Sequence, residues 1–334
     1  MTGPALPRIL LVGAGVMGSH HSRVIAESAR CDLVSVVDPT EDRGRKLARR
    51  FGARWMPKVE SLAGVDAVVV ASSTDQHRSI ALDVLAEGIP LFVEKPLCAS
   101  LVESREIVDT ALSSGVPLMC GFIERFNPAV LEALSRVKSP SAVRTRRLSS
   151  YSRRMHAGVS WDLLVHDVDI AIRLLHDRSP KIINACTGRY SGEGRSGEDT
   201  VAALLQFSES RTAALSASRV SAQRVRQLVI SDEGRSIVAD LLNPSVTIYS
   251  GPDCVPSCPA DESSSAHEIL ERIECSDRGE PLAAQCSKFV DLIEGKADAS
   301  AEALSILPSH EMIAAILDSA EASAGETAPE QILR

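Results

Sequence analysis

A strand-length apolar run, Ile9 to Val12, is followed at once by Gly13-Ala14-Gly15-Val16-Met17-Gly18 and then by a helical pattern. Few local patterns constrain a fold as tightly. The first glycine permits a tight turn, the second leaves room for a pyrophosphate against the backbone, and the third lets helix and strand pack closely. Free N–H groups at the start of that helix, around Val16 and Met17, would then hold the phosphates. Asp38 closes the next apolar run, twenty residues past Gly18. A carboxylate there would accept hydrogen bonds from both hydroxyls of an adenosine ribose and repel a 2′-phosphate. The pattern therefore predicts NAD(H) rather than NADP(H), with Arg43 the neighbour that argues the other way. The bland alternative has the glycines merely making a turn and Asp38 opening the Asp-Pro loop after it. Strand, triplet, helix and acid in register favour the dinucleotide.

The rest of the first 123 residues repeats the alternation. Leu33 to Val37, Ala67 to Ala71, Leu91 to Val93 and Pro117 to Cys120 are strand candidates separated by helical patterns, the signature of a doubly wound parallel sheet. Ser73 with Gln76 and Ser100 with Glu103 have capping-box spacing, and Gly88 and Gly115 stand where glycines close helices. Ile80, Ala81, Val84 and Leu85 form one apolar stripe of helical period. A chain of 334 residues, 44% hydrophobic, has room for a second core. We place the first domain at 1–123 and the second at 124–334.

From about residue 140 strand-like runs dominate: Ala142 to Leu148, Ile182 to Tyr190, Val201 to Phe207, Arg211 to Ser218, Val225 to Ser231, Ser236 to Asp240 and Val246 to Tyr249. Short turns such as Ser208-Glu209-Ser210 and Asp232-Glu233-Gly234 join several of them, which predicts an open, mostly antiparallel sheet in an α+β domain. One apolar helix, Trp161 to Leu175, interrupts the series, and its nearly all-round apolar surface predicts burial between domains. Residues 251–280, rich in Pro, Ser, Asp and Cys, read as a long connection. Two helical patterns follow, the last expected to pack back on the first domain.

Thirty-six Lys and Arg against 44 Asp and Glu leave a formal charge of −8, the wrong sign for a general nucleic-acid binder. Eight scattered cysteines, several in apolar runs, read as reduced thiols of a cytoplasmic protein. Cys254 and Cys258 have no matching second pair, so no metal site is expected. The Pro-containing lead before Ile9 reads as neither a signal peptide nor a membrane span, so neither is expected.

Three groups carry chemistry. Glu94-Lys95-Pro96 ends a buried strand at the carboxyl edge, where ligands sit in open α/β sheets. Its lysine can hydrogen-bond a substrate hydroxyl and stabilise a developing alkoxide, or simply be a surface lysine before a turn. Asp162 and His166, four apart on the apolar helix, point from one face. Imidazole titrates near neutrality and suits removal of an alcohol proton, although a satisfied polar pair inside a helix reads equally well. Tyr151 fits either a substrate contact or aromatic packing. His20 and His21 fit a surface helix or a cofactor-side contact.

In combination these marks resemble the Gfo/Idh/MocA oxidoreductases, which pair a Rossmann domain with an open-sheet substrate domain. The carriers are Gly13 to Gly18, Glu94-Lys95-Pro96 and Asp162-Leu163-Leu164-Val165-His166, in the family's order over nearly the whole chain. The resemblance implies Lys95, Asp162 and His166 as the catalytic set, and Ser72, Thr74, His77, Glu94 and Lys95 at the cofactor. The chain departs from the pattern at Ser73-Thr74, where many relatives have Pro-Asn or Pro-Thr, while His77 matches. Gly121-Phe122-Ile123-Glu124-Arg125-Phe126-Asn127-Pro128, Arg147-Leu148-Ser149-Ser150-Tyr151 and His166-Asp167-Val168-Asp169 are similar to the branch containing UDP-N-acetylglucosamine 3-dehydrogenases. That branch implies a nucleotide-linked sugar whose ring hydroxyl is oxidised, with Arg125 and Tyr151 near it. Of the cationic run Arg144, Arg146, Arg147, Arg153 and Arg154, the last two are placed to hold a diphosphate, while solvation or a subunit interface would also account for the run. Free-sugar or inositol oxidation, and a non-catalytic dinucleotide-binding regulator, are the competing readings. An open sheet with an apolar outer face further predicts a homo-oligomer, dimer or tetramer.

Overall fold

The computed structural model describes residues 5–151, 157–190, 197–250 and 269–325. Two compact units divide the chain: one holds the chain up to Phe126 together with Gly279–His310, the other Asn127–Arg278 and the chain from Glu311 on. Cys254 and Cys258 lie outside the described residues.

The first unit alternates β1 (Arg8–Val12), α1 (Val16–Glu27), β2 (Asp32–Val37), α2 (Glu41–Arg50), β3 (Arg54–Met56), β4 (Ala67–Val70), α3 (Thr74–Ala86), β5 (Leu91–Val93), α4 (Leu101–Ser114) and β6 (Leu118–Cys120). The strands form one parallel sheet in the order β3-β2-β1-β4-β5-β6. Leu10, Leu11, Val68 and Val70 are fully buried, as in a sheet covered by helices on both faces. Strand order reverses between β1 and β4, and a crevice at the carboxyl ends of these two strands is the usual ligand position of such sheets. β3 went unnoticed in the sequence because it has only three residues, opening on exposed Arg54.

Gly88 and Gly115 take φ of +71° and +68° at the ends of α3 and α4. The expected capping boxes do not form: neither Ser73 nor Ser100 caps its helix through its side chain. At α3 the cause is Asp75, whose carboxylate takes the Gln76 side-chain amide at 2.9 Å and the Ser73 hydroxyl.

The second unit begins with α5 (Pro128–Arg136), capped by Asn127, whose Oδ1 accepts the Ala129 N–H at 3.0 Å. β7 (Pro140–Leu148) follows, then a π-helical turn (Ser160–Leu164) running into α6 (Val165–Leu175). Then come β8 (Ile182–Gly188), β9 (Thr200–Ser208), β10 (Arg211–Ser218), β11 (Val225–Asp232), β12 (Arg235–Asp240), β13 (Ser245–Ser250) and β14 (Ile269–Glu274). The sheet order is β14-β13-β12-β11-β7-β10-β9-β8. All neighbours are antiparallel except β7 and β10.

The anticipated turn at Asp232-Glu233-Gly234 carries φ of +36° and +70° at its last two residues. α6 packs on β7 and β10 of its own sheet. β14 corrects the reading of 251–280 as connection throughout. Its residues Ile-Leu-Glu-Arg-Ile-Glu are mostly exposed on a sheet edge, so no buried face imposes a hydrophobic alternation.

Three helices, not two, follow: α7 (Pro281–Ile293), α8 (Ala299–Leu304) and α9 (Leu307–Gly325). α7 and α8 belong to the first unit, and the division between units falls inside α9. Phe289 of α7 is 1% exposed and packs edge-on against Phe92 of β5 at 5.8 Å. A ring buried so fully contributes roughly 2–3 kcal/mol. Six cysteines are described, all free, with Cys186 alone among them exposed. Among the described residues no helix is long and apolar enough to cross a membrane, and no three His, Cys, Asp or Glu side chains group as a metal site.

Candidate active site

The three glycines of the loop between β1 and α1 have distinct surroundings. Gly13, at φ +100°, donates its N–H to Val37 O at 2.8 Å, and a Cβ there would lie 2.5 Å from Ala71 O. A Cβ on Gly18 would fall 1.9 Å from Gly13 O. At Gly15 a Cβ would meet nothing within 4 Å, so that side of the loop is open. Turn, open cradle and close packing are thus separated as a dinucleotide requires, and the helix starting at Val16 presents its first-turn N–H groups beside the open position.

Asp38, 1% exposed, anchors the far side of the loop. Its Oδ2 accepts the Ala14 N–H at 2.7 Å and its Oδ1 the Thr40 N–H at 2.8 Å. Arg43 donates to both oxygens, through Nε at 3.1 Å and Nη2 at 2.9 and 2.8 Å. Burial pushes the Asp38 pKa up, but the bonds from Arg43, then from the Ala14 and Thr40 amides, outweigh it and hold the carboxyl below its ordinary value. Asp38 is therefore an ionised acceptor. Arg43, its side chain about half exposed, is the partner of Asp38 and not a detached cation beside it. These groups fit the adenosine half of a dinucleotide.

The segment after β5 is gripped by three imidazoles. Glu94 is buried, with Oε1 2.6 Å from His21 Nε2 and Oε2 accepting the Lys95 N–H at 3.1 Å. Lys95–Pro96 is a cis peptide. His77 Nδ1 stands 3.1 Å from Pro96 O and 3.2 Å from Leu97 O, and its Nε2 3.3 Å from Ser72 O. Burial pushes the His77 pKa down despite these carbonyls, so the ring is neutral at pH 7. His310 accepts the Leu97 N–H at Nε2, 3.1 Å away, so its proton sits on Nδ1 and is donated to Ile306 O at 3.0 Å. Sequence reasoning missed His310, and only its apolar helical surroundings could have hinted at it. His21 is likewise a buried support, 5.1 Å edge-on from Phe92, whereas His20 is exposed. Ser72 and Thr74 are partly buried at the start of α3.

In the second unit Asp162 lies within the π turn, partly buried, and His166 sits in the first turn of α6, 6% exposed. Beside His166, Asp167 is held by Arg147 of β7 in a two-pronged pair, Nε to Oδ2 at 2.9 Å and Nη2 to Oδ1 at 2.8 Å. Both residues are almost wholly buried, which takes Arg147 out of the cationic run, while Arg144 and Arg146 are exposed on the opposite sheet face. Tyr151 is 39% exposed beyond the end of β7. Arg153 and Arg154 lie outside the described residues.

Arg125 belongs to the first unit. It donates to Ser305 Oγ at 2.8 Å and Ser305 O at 2.9 Å, and lies 4.4 Å over the Phe122 ring. The structure thus gives this expected substrate residue a packing role between the β6 end and α8.

Residues 7–122 match the family model for an oxidoreductase family with an NAD-binding Rossmann fold, and residues 130–237 match the GFO/IDH/MocA C-terminal domain. The chain is 28% identical over 270 residues to scyllo-inositol 2-dehydrogenase (NAD(+)) of Bacillus subtilis, covering 73% of this chain and 77% of that protein. To UDP-N-acetylglucosamine 3-dehydrogenase of Acidithiobacillus ferrooxidans it is 27% identical over 288 residues, covering 85% and 87%. The solved structure of the latter superposes with a TM-score of 0.80 at 22% identity over 96% of this chain and 99% of that one, a likeness of fold. With both halves matched in order, the chain belongs to the Gfo/Idh/MocA family of NAD-binding oxidoreductases.

Proposed function

We propose that this protein is an NAD-dependent dehydrogenase that interconverts a ring carbinol and a ketone on a nucleotide-linked sugar. The observation that carries the reading is the support of Lys95: its segment leaves the carboxyl end of β5 fixed by His77 and His310 and by the Glu94–His21 contact. A lysine held at that edge is suited to bind a substrate oxygen.

Bound NAD⁺ supplies the hydride acceptor. Gly13, Gly15, Val16, Met17 and Gly18 would hold its pyrophosphate and Asp38 its adenosine ribose, and the Ser72–Thr74 segment would serve its nicotinamide half. On the substrate, His166 takes the hydroxyl proton, the Lys95 ammonium hydrogen-bonds the same oxygen as charge develops, and Asp162 orients the pair. In the reverse direction His166 returns the proton. Ion pairing of Asp38 with Arg43 supports NAD over NADP, since a buried carboxylate with its charge fixed still faces any 2′-phosphate.

Similarity along 85% of the chain to a UDP-N-acetylglucosamine 3-dehydrogenase supports the nucleotide sugar. A second reading, a free inositol or sugar as substrate, is favoured by the similarity to the scyllo-inositol enzyme. The two part in one experiment: absorbance growth of reduced nicotinamide with UDP-sugars, free sugars and inositols, using NAD⁺ and NADP⁺ separately. Turnover with inositols alone overturns the nucleotide-sugar reading. Tight NADH binding with no turnover on any polyol overturns the enzyme reading in favour of a regulator.

The same reading places the protein in the cytoplasm as a homo-oligomer. Ile182 and Leu204, each about half exposed on the sheet face that also carries Arg144, support an interface there.

A further inference from the structure

The helix bearing Asp162 and His166 starts in an unusual way, and a buried carboxylate outside it holds that start. Residues 160–164 form a π turn before α6 begins. An α-helix completes a circuit in fewer than four residues, so an i,i+4 pair is offset around its axis. A wider π turn brings such a pair closer to one line along the axis. The turn therefore bears directly on how Asp162 and His166 present themselves together.

Glu198, 9% exposed, precedes β9 and reaches back to this turn. Its backbone O accepts the Val159 N–H at 3.0 Å and its Oε1 the Ser160 N–H at 2.7 Å. Val159 and Ser160 are completely buried, so water does not replace either bond. A Cβ on Gly158 would lie 2.2 Å from Glu198 Oε2, so the carboxylate fills the space that a side chain at 158 would need. The neighbouring Asp199 accepts Arg219 Nε at 2.7 Å, and Arg219 Nη1 donates to Ala157 O at 2.7 Å. Residues 157–160 are thus clamped from the β9 and β10 side through both side chain and backbone.

We propose that Glu198 is a positioning residue: its carboxylate, placed on the Ser160 N–H, fixes the π turn and with it the joint presentation of Asp162 and His166. The proposal rests on the dehydrogenase reading above for its kinetic consequence, but not for its structural one. Without the carboxylate the Ser160 N–H is buried with no acceptor, and the turn relaxes toward α geometry, rotating the pair. A misplacement of about 1 Å costs on the order of a hundredfold in rate.

The test compares Glu198→Ala, Glu198→Gln and Gly158→Ala. Glutamine keeps an acceptor oxygen, and Gly158→Ala displaces the carboxylate without removing it. We expect kcat to fall by about ten- to a hundredfold in Glu198→Ala and Gly158→Ala, with KM within roughly threefold and the Kd for NADH unchanged. Glu198→Gln should recover most of the loss. Equal impairment of Glu198→Gln and Glu198→Ala, or wild-type kcat in a folded Glu198→Ala, overturns the proposal. An activity-free readout is the fluorescence of Trp161, which lies inside the turn and is 8% exposed, recorded with Trp55→Phe as background. Its emission should shift in Glu198→Ala and be retained in Glu198→Gln, and an unchanged emission in Glu198→Ala refutes the brace. Should the wild type oxidise no polyol, the dehydrogenase reading fails and the Trp161 result still decides the role of Glu198.

Discussion

Replacing Arg147 by methionine keeps most of the volume of its stem and removes the charge that faces Asp167. The pair is 1% and 2% exposed, with bonds of 2.9 and 2.8 Å, so the loss is not screened by solvent. Breaking such a buried pair by removing one charge costs about 3–5 kcal/mol, whereas removing both charges is often close to neutral. Arg147→Met should therefore be severely destabilising and Arg147→Met/Asp167→Leu much less so. With a slope near 2–3 kcal/mol per molar urea, the single variant's midpoint drops by roughly 1–2 M. The chain has two tryptophans, Trp55 in the first unit and Trp161 in the second. Recorded with Trp55→Phe as background, Trp161 emission reports the second unit. With Trp161→Phe as background, Trp55 reports the first and should move less. A cost below about 1 kcal/mol for Arg147→Met, or a double variant as unstable as the single, would refute the claim that this pair depends on mutual compensation.

Lys95→Ala and His166→Ala should each lower turnover by on the order of a hundredfold or more, with NADH binding by fluorescence titration left largely intact. Asp38→Ala should raise the KM for NAD⁺ by roughly tenfold or more, since bonds to a charged acceptor are lost, and should narrow the preference over NADP⁺. Unchanged cofactor preference would count against the ribose assignment. Burial holds the His77 pKa below its unfolded value, so its contribution is complete above about pH 6.5 and is lost as pH falls through and below that value. Thermal melts at pH 7.5 and 5.5 should show a larger loss for wild type than for His77→Gln, and equal losses would sink that assignment.

Most of the first unit was legible because a parallel sheet writes itself as apolar runs that need no alternation, and because each glycine of the loop answers a separate steric demand. β3 and β14 escaped for one reason: short or exposed edge strands have no buried face to imprint a pattern. The Ser73–Gln76 capping box failed because spacing does not reveal a competitor, here Asp75, for the same hydroxyl and amide. Motif spacing singled out Lys95, Asp162 and His166 as candidates but did not show the π turn, since an inserted residue in a helical circuit leaves the apolar period nearly unchanged over so short a span. Arg147 was grouped with the exposed cations although strand alternation sets it opposite Arg144 and Arg146. Its pairing with Asp167 requires knowing that α6 lies on β7.

What the motifs omit is the support beneath each reacting group, and physics explains why. The amide of Leu97 and the carbonyls of Pro96 and Leu97 lie where the chain has left the sheet ladder, buried yet without strand partners, so side chains must meet them. Imidazole can accept at one nitrogen while donating at the other, and His310 does both, reaching Leu97 across 213 residues of sequence while donating to Ile306 one turn back along its own segment. On the other unit a carboxylate and a guanidinium perform the equivalent task at Ser160 and Asp167. Such supports need only a partner of the right polarity at the right depth, and that partner can come from any part of the chain that folding brings near. The groups we propose to react are set by the chemistry of a carbinol and fall at readable spacings, whereas their supports become visible only once the fold is known.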